Sequence, residues 1–328
     1  MGHEVVSLAE KCKNENRSHM SVGVSHRGGA RRIGALGIAA VLALLLSSCS
    51  DGTDGAGIDS TVQRRPVVVT TNAVVQSIVR LVGGDAFDVR SLVPDGKDPH
   101  DFEPSASEIA VLDGAGLIVQ VGLGYEHGVE NAVERSVGAG VPVLTLTDHV
   151  PVVGGDPHVF TDPLTVSEAV DEIASALGGL ASLDEAAAVT RARGVLERAD
   201  ATARERLAPL TSKNGCVLVT DHDALAYFAR RYGCEVAGAV IPSFASTAEA
   251  SAAQVQKIVD EVKSSRGGAG EIRAVFVERG TSAAVAEKIA ELTGINVVEL
   301  SVHSLPADNT YETYVVELAH TILKGLTS

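Results

Sequence analysis

The sequence predicts an α/β protein of two lobes, each a largely parallel β-sheet flanked by helices, joined by a long rigid spine helix. Three observations carry this. Eight short apolar runs bounded by turn residues recur after residue 65, helical patterns fill most intervals between them, and one uninterrupted stretch rich in Ala, Leu, Glu and Arg divides the runs into two sets of four. Strand alternating with helix implies right-handed βαβ units and parallel pairing. A chain of 328 residues is long enough for two domains, each with its own core.

In order, the strands of the first lobe (66–180) are predicted at Pro66 to Thr70, Phe87 to Val93, Leu117 to Val121 and Val141 to Leu146. Helical patterns cover Asn72 to Leu81 and Ser105 to Leu112. Ser105 followed three residues on by Glu108 is a capping box, which fixes that helix start. The spine segment (181–212) centres on Asp184 to Leu210, meets no Pro before Pro209, and as one helix would extend about 40 Å. Gly194 weakens it slightly. In the second lobe (213–328) the runs are Cys216 to Thr220, Glu235 to Val240, Arg273 to Val277 and Asn296 to Leu300, with helices over Ala224 to Tyr232 and Thr281 to Thr293.

The amino-terminal segment stands outside this pattern. Arg31 and Arg32 precede a 14-residue apolar run, Ile33 to Leu46, which is too short to span a bilayer and has the length of a signal-peptide core. The run ends in Leu46-Ser47-Ser48-Cys49, which resembles a bacterial lipobox. Residues 1–48 therefore read as a signal peptide, with Met20 a better start than Met1 and residues 1–19 a mis-assigned extension. Cys49 becomes the lipidated first residue, and residues 49–65, rich in Asp, Gly and Ser, form a flexible tether.

Charge narrows the function. The chain has 42 acidic and 27 basic residues, and removing residues 1–48 leaves 39 and 21, a formal charge of −18. Nucleic acid is excluded as a partner by that sign, and an anionic lipid surface would be repelled, so the membrane is reached through the acyl chains of Cys49. Trp is absent and Phe plus Tyr are sparse, which leaves no stacking platform for bases or sugars.

Of four cysteines, Cys12 leaves with the leader and Cys49 carries lipid. Cys216 and Cys234 remain in an oxidising compartment and would lie at the same end of neighbouring parallel strands, as a disulfide or as two buried thiols. Zinc ligation by the pair would lack a third and fourth thiol.

Seven of ten histidines survive leader removal, and four of them fall at strand ends: His100 and His158 in the first lobe, His222 and His303 in the second. Ligands of open parallel sheets bind outside the carboxyl ends of the strands, so two facing lobes would bring the four imidazoles to one cleft. Four imidazoles complete a tetrahedral shell for zinc. His127, His149 and His320 have no such placement. The segment Gly122 to Gly128 faintly suggests a dinucleotide loop, but its third Gly is one residue late.

At these residues the chain resembles the zinc/manganese solute-binding lipoproteins of metal ABC transporters. The resemblance rests on Pro99-His100-x-x-Glu103-Pro104-Ser105, on Asp156-Pro157-His158-x-x-x-Asp162-Pro163, and on His222 to Gly233, with Val275 to Glu278 following, and it covers essentially residues 65–328. It implies two lobes on a rigid helix and one metal bound by His100, His158, His222 and a residue of the last βα loop. Members usually place Asp at that last position, where this chain has His303-Ser304-Leu305. His303 is assigned as the fourth ligand; Asp308, or water beside three His, are the alternatives.

A nitrogen-rich set favours Zn2+ over Mn2+, although Cu2+ or Ni2+ would also be held. The expected function is extracytoplasmic zinc capture and delivery to an ABC-transporter permease with its cytoplasmic ATPase, by a monomer lipid-anchored to the outer face of the bacterial cytoplasmic membrane. Binding is expected to weaken as pH drops toward the imidazole pKa near 6.5. A surface adhesin that also binds metal is the alternative. A zinc hydrolase is disfavoured because a closed shell leaves no position for activated water, and Glu103 or Asp223 would enter as base only if His303 did not ligate.

Overall fold

A computed structural model describes Arg64–Ser328. The leader, Cys49 and nearly all of the tether lie outside the described residues. Among those described, no helix is long and apolar enough to cross a membrane.

Four strands, β1 (Val67–Thr70), β2 (Asp88–Ser91), β3 (Leu117–Gln120) and β4 (Val143–Thr145), form one sheet in the order β2-β1-β3-β4. Another four, β5 (Val217–His222), β6 (Glu235–Ile241), β7 (Ala274–Glu278) and β8 (Asn296–Leu300), repeat that order as β6-β5-β7-β8. Every pairing is parallel. Central strands covered on both faces read as continuous apolar runs, as in Leu117-Ile118-Val119 and the fully buried Ala274–Glu278, whereas edge strands such as Asp88–Ser91 carry polar residues.

The helices are α1 (Ala73–Gly83), α2 (Ala106–Asp113), α3 (Glu130–Gly138), α4 (Pro163–Glu168), α5 (Val170–Gly178), α6 (Glu185–Thr211), α7 (Ala226–Tyr232), α8 (Ala252–Ser265), α9 (Ala284–Thr293) and α10 (Tyr311–Thr327). Asn72 caps α1 through its side chain, and Ser105 with Glu108 closes the capping box of α2. Two starts differ from the sequence reading. Helix α7 begins at Ala226 because β5 continues through His222, and α9 begins at Ala284 because Thr281 turns its hydroxyl to Asp221 and to the Glu278 carbonyl instead.

Helix α6, 27 residues long, lies between the two sheets in chain order and buries a single stripe, Ala188, Ala192, Leu196, Ala199, Ala203, Leu207 and Leu210. Steps of four and three place these on one face, and the small Ala residues let α10 pack closely along it. Pro209 falls inside its last turn. One core cluster runs from Val68 and Ile78 of the first lobe through α6 to Leu218, Phe276 and Ile322 of the second. Asp200 on α6 accepts both Nε (2.7 Å) and Nη2 (2.6 Å) of Arg231 on α7, a bidentate pair that ties the spine to the element following His222.

Cys216 and Cys234 form a disulfide with Cα atoms 4.7 Å apart, linking the starts of β5 and β6. Closing a loop with a sequence separation of 18 is worth about 3 kcal/mol through the unfolded chain. Residues 64–328 are therefore expected to show no free thiol, and Cys216→Ser with Cys234→Ser to lower their unfolding free energy by about that amount in urea; an unchanged midpoint would place the stability elsewhere.

Candidate metal centre

The four strand-end histidines meet in one buried cluster. His100 follows β2, His158 follows β4, His222 is the last residue of β5, and His303 follows β8. Because both sheets share one strand order, His158 and His303 occupy equivalent places, after the fourth strand of each lobe. His100 and His222 do not, since one follows the second strand of its lobe and the other ends the first. All four are buried, His100 the least at 7% exposure and the others at 0–2%.

The six distances between ring centroids run from 5.1 to 5.7 Å. Six nearly equal separations define a tetrahedron. A metal about 2.0–2.1 Å from each ring nitrogen would lie about 3.2 Å from each centroid, which gives edges of about 5.2 Å. One potential ligand atom from each residue lies within 4.8 Å of the others. Nε2 of all four rings is buried without a hydrogen-bond partner. Native interiors rarely leave such atoms unsatisfied, and four such rings in one cluster have the chemistry of a cation site.

Carboxylates close behind the rings set which nitrogen faces inward. Asp156 Oδ1 accepts both the backbone N–H (2.9 Å) and Nδ1 (2.8 Å) of His158. Asp221 Oδ1 does the same for His222, at 2.7 and 2.9 Å, while its Oδ2 accepts from the Glu278 N–H (2.8 Å) and the Thr281 hydroxyl (3.0 Å). A ring that donates Nδ1–H presents Nε2 as a lone pair. His303 is held through its backbone: the buried Glu278 carboxylate accepts from Val302 N–H (2.7 Å) and His303 N–H (3.2 Å). Asp98 accepts the His100 N–H at 2.9 Å. Tyr125 packs edge-on against His100 with centroids 4.8 Å apart. Gly128 is required where its turn passes the Phe102 carbonyl, because a Cβ there would stand 2.2 Å from that oxygen.

Burial and the neighbouring His158 push the His100 pKa down to about 3, with Asp98 opposing. Burial also holds His158 and His303 well below the ordinary imidazole range. Protonation of these three rings is thus disfavoured near pH 6.5, which shifts the expected proton competition for them to lower pH. Burial raises Asp156 to about 6 and Glu278 well above the carboxylate range. Burial pushes Asp221 up, but its hydrogen bonds and charge interaction with His222, together with the Glu278 N–H, hold it below its usual value.

Asp308 does not reach the cluster. It is exposed and accepts from the Thr310 and Thr313 hydroxyls at the start of α10. His127 and His320 are also exposed, His149 is half-buried, and all three lie apart from it. The Gly122 to Gly128 segment is a turn whose Glu126 carboxylate accepts from Val121 N–H (2.8 Å), Gly122 N–H (3.2 Å) and the Thr71 hydroxyl, and burial pushes that carboxyl up to about 7.

Residues 68–325 match the family described as "Zinc-uptake complex component A periplasmic". The chain belongs to this family. Its chain is 30% identical over 260 residues to the manganese-binding lipoprotein MntA of Bacillus subtilis (strain 168), covering 75% of this chain and 80% of that one. Among solved structures, the periplasmic zinc-binding protein TroA of Treponema pallidum shares the fold with a TM-score of 0.72, at 24% identity over 81% of this chain and all of that one. The laminin-binding protein Lmb of Streptococcus agalactiae, titled a bifunctional protein with adhesin and metal-transporting activity, aligns with a TM-score of 0.67 at 26% identity over 80% of this chain and all of that one.

Asp156, Asp221 and Glu278 were not singled out as site residues from sequence. The signal was local: an Asp stands one or two positions before His100, His158 and His222. Glu278→Ala would orphan two buried N–H groups and is expected to cost about 3 kcal/mol in urea unfolding, with Glu278→Gln costing less because one acceptor remains. A cost under about 1 kcal/mol for the Ala variant would mean that Glu278 does not anchor the His303 loop.

Proposed function

We propose that this protein captures zinc outside the cytoplasmic membrane, holds it between its lobes on Nε2 of His100, His158, His222 and His303, and delivers it to the permease of an ABC transporter. The observation that carries this reading is the buried tetrahedron of four imidazoles with partnerless Nε2 atoms. Family membership and the metal-binding relatives support it. The lipid anchor at Cys49 would keep the carrier beside its permease, and the net acidity of the exported chain favours cations in its vicinity.

Ligand chemistry selects the ion. Manganese prefers oxygen donors, whereas four neutral nitrogens suit zinc. Copper would bind such a set more tightly still, so selection against it rests on supply rather than affinity. The bound ion brings two positive charges among neutral rings, and Asp156 and Asp221, hydrogen-bonded to the far sides of two rings, lie where they can offset them. Four protein donors close the shell, so no position remains for an activated water, and the protein acts as a carrier rather than a hydrolase.

Native mass spectrometry of the exported chain, purified metal-free and offered zinc, manganese, copper and nickel in turn, is expected to show one tightly held zinc and weak manganese. Each of His100→Ala, His158→Ala, His222→Ala and His303→Ala should weaken zinc by at least about 100-fold, as for loss of one ligand from a closed site. Zinc retention by His303→Ala at parental affinity would remove it from the ligand set.

The pH profile gives an independent check. Four imidazoles titrating at the ordinary 6.5 would lose about 200-fold in affinity between about pH 7.5 and pH 6. With the His100, His158 and His303 values lowered, proton competition moves to lower pH, so zinc affinity is expected to fall less than about tenfold between about pH 7.5 and pH 6. Competition with a chelator of known pH dependence measures this, and a loss of about 200-fold would show the rings to be accessible to protons.

A further inference from the structure

The rings are not equally secured. His158 and His222 each donate Nδ1 to a carboxylate, and His303 sits on a loop pinned by Glu278. Neither His100 nor His303 has a partner for either ring nitrogen, but His100 is the most exposed of the four and its loop makes no hydrogen bond with Glu278. What keeps it in place is the loop before it, which reaches across to three loops of the second lobe. Asp95 accepts the Leu305 N–H at 2.8 Å in the β8–α10 loop. Gly96 passes so close to Gly280 of the β7–α9 loop that a Cβ there would stand 3.2 Å from its carbonyl oxygen. Asp98 receives the Ser246 hydroxyl from the β6–α8 loop.

Asp98 joins both functions. Its Oδ1 accepts the His100 N–H at 2.9 Å and lies 3.8 Å from His303 Nδ1, while its Oδ2 takes the Ser246 hydroxyl. We propose that Asp98 is a positioning residue whose hydrogen bond from Ser246 latches the His100 loop across the cleft and sets how long a bound divalent ion stays. The ion leaves when this latch opens and His100 swings out, while the other three rings remain fixed. The proposal rests on the four-histidine reading above.

The latch is tested on the exported chain loaded with zinc, by stopped-flow transfer of zinc to an excess of fluorescent chelator. Ser246→Ala is expected to release zinc about tenfold faster, the weaker end of what a hydrogen bond to a charged group supplies, and Ser246→Thr, which keeps the hydroxyl, to stay within about twofold of the parent. Asp98→Ala should also release faster, and adding Ser246→Ala to it should change the rate less than about twofold, because the two substitutions break one bond. Ser246 lies in a half-exposed loop, so the thermal midpoint of the metal-free Ser246→Ala chain should not move. Release by Ser246→Ala within about twofold of the parent, or Ser246→Thr as fast as Ser246→Ala, overturns the latch. Failure of the parent to take up zinc at all is a different result and overturns the four-histidine reading itself.

Discussion

Burying four imidazoles against one another is the constraint around which the rest of this structure is arranged. A neutral ring carries a donor and an acceptor, and each buried without a partner costs about 1–3 kcal/mol. Desolvation also removes the option of becoming charged, as the lowered values of His100, His158 and His303 reflect. The protein meets a quarter of the requirement itself: Asp156 and Asp221 take Nδ1 of two rings and leave their Nε2 free, while Nδ1 of His100 and of His303 has no partner. The inward nitrogens have no protein partner to meet, and a cation with nitrogen preference satisfies all of them at once.

The two lobes share a strand order, yet they contribute to the site differently. Glu126 and Glu278 are buried carboxylates near the exits of the equivalent strands β3 and β7, and both accept backbone N–H groups. Glu126 stabilises its own turn, which carries Tyr125 against His100. Glu278 instead holds the neighbouring β8 loop, the one bearing His303. The second lobe therefore builds its two histidines into rigid backbone, with His222 on a strand and His303 on a pinned loop. In the first lobe only His158 has comparable support.

Much of this was legible in the residues. Central strands are buried on both faces, so their apolar runs stood out, and β8 begins and ends where its run does. The capping box at Ser105 and the spine without an early Pro located α2 and α6, because both signals are local. The four histidines were legible as a set through their strand-end placement. What remained hidden depends on tertiary approach. That β5 continues through His222 follows from pairing with Ile241, that Asp308 turns away follows from its role at the α10 terminus, and the protonation of the rings follows from burial that no local pattern encodes.

The spine decides where motion can occur. A hinge between the lobes would have to separate α6 and α10 from the elements that both sheets pack against them, and the core there is continuous from Ile78 to Ile322. Exposing such a surface costs about 25 cal/mol for every Å² of apolar area, so even a few hundred Å² exceeds what a few polar contacts across the cleft mouth contribute. The Tyr311 hydroxyl on the Phe160 carbonyl, at 2.8 Å, fixes the His158 side of the cleft from α10 as well. Movement at the site is consequently confined to loops, and among the four histidines only His100 combines partial exposure, a ring without a partner and a loop held by side-chain hydrogen bonds that can break one at a time.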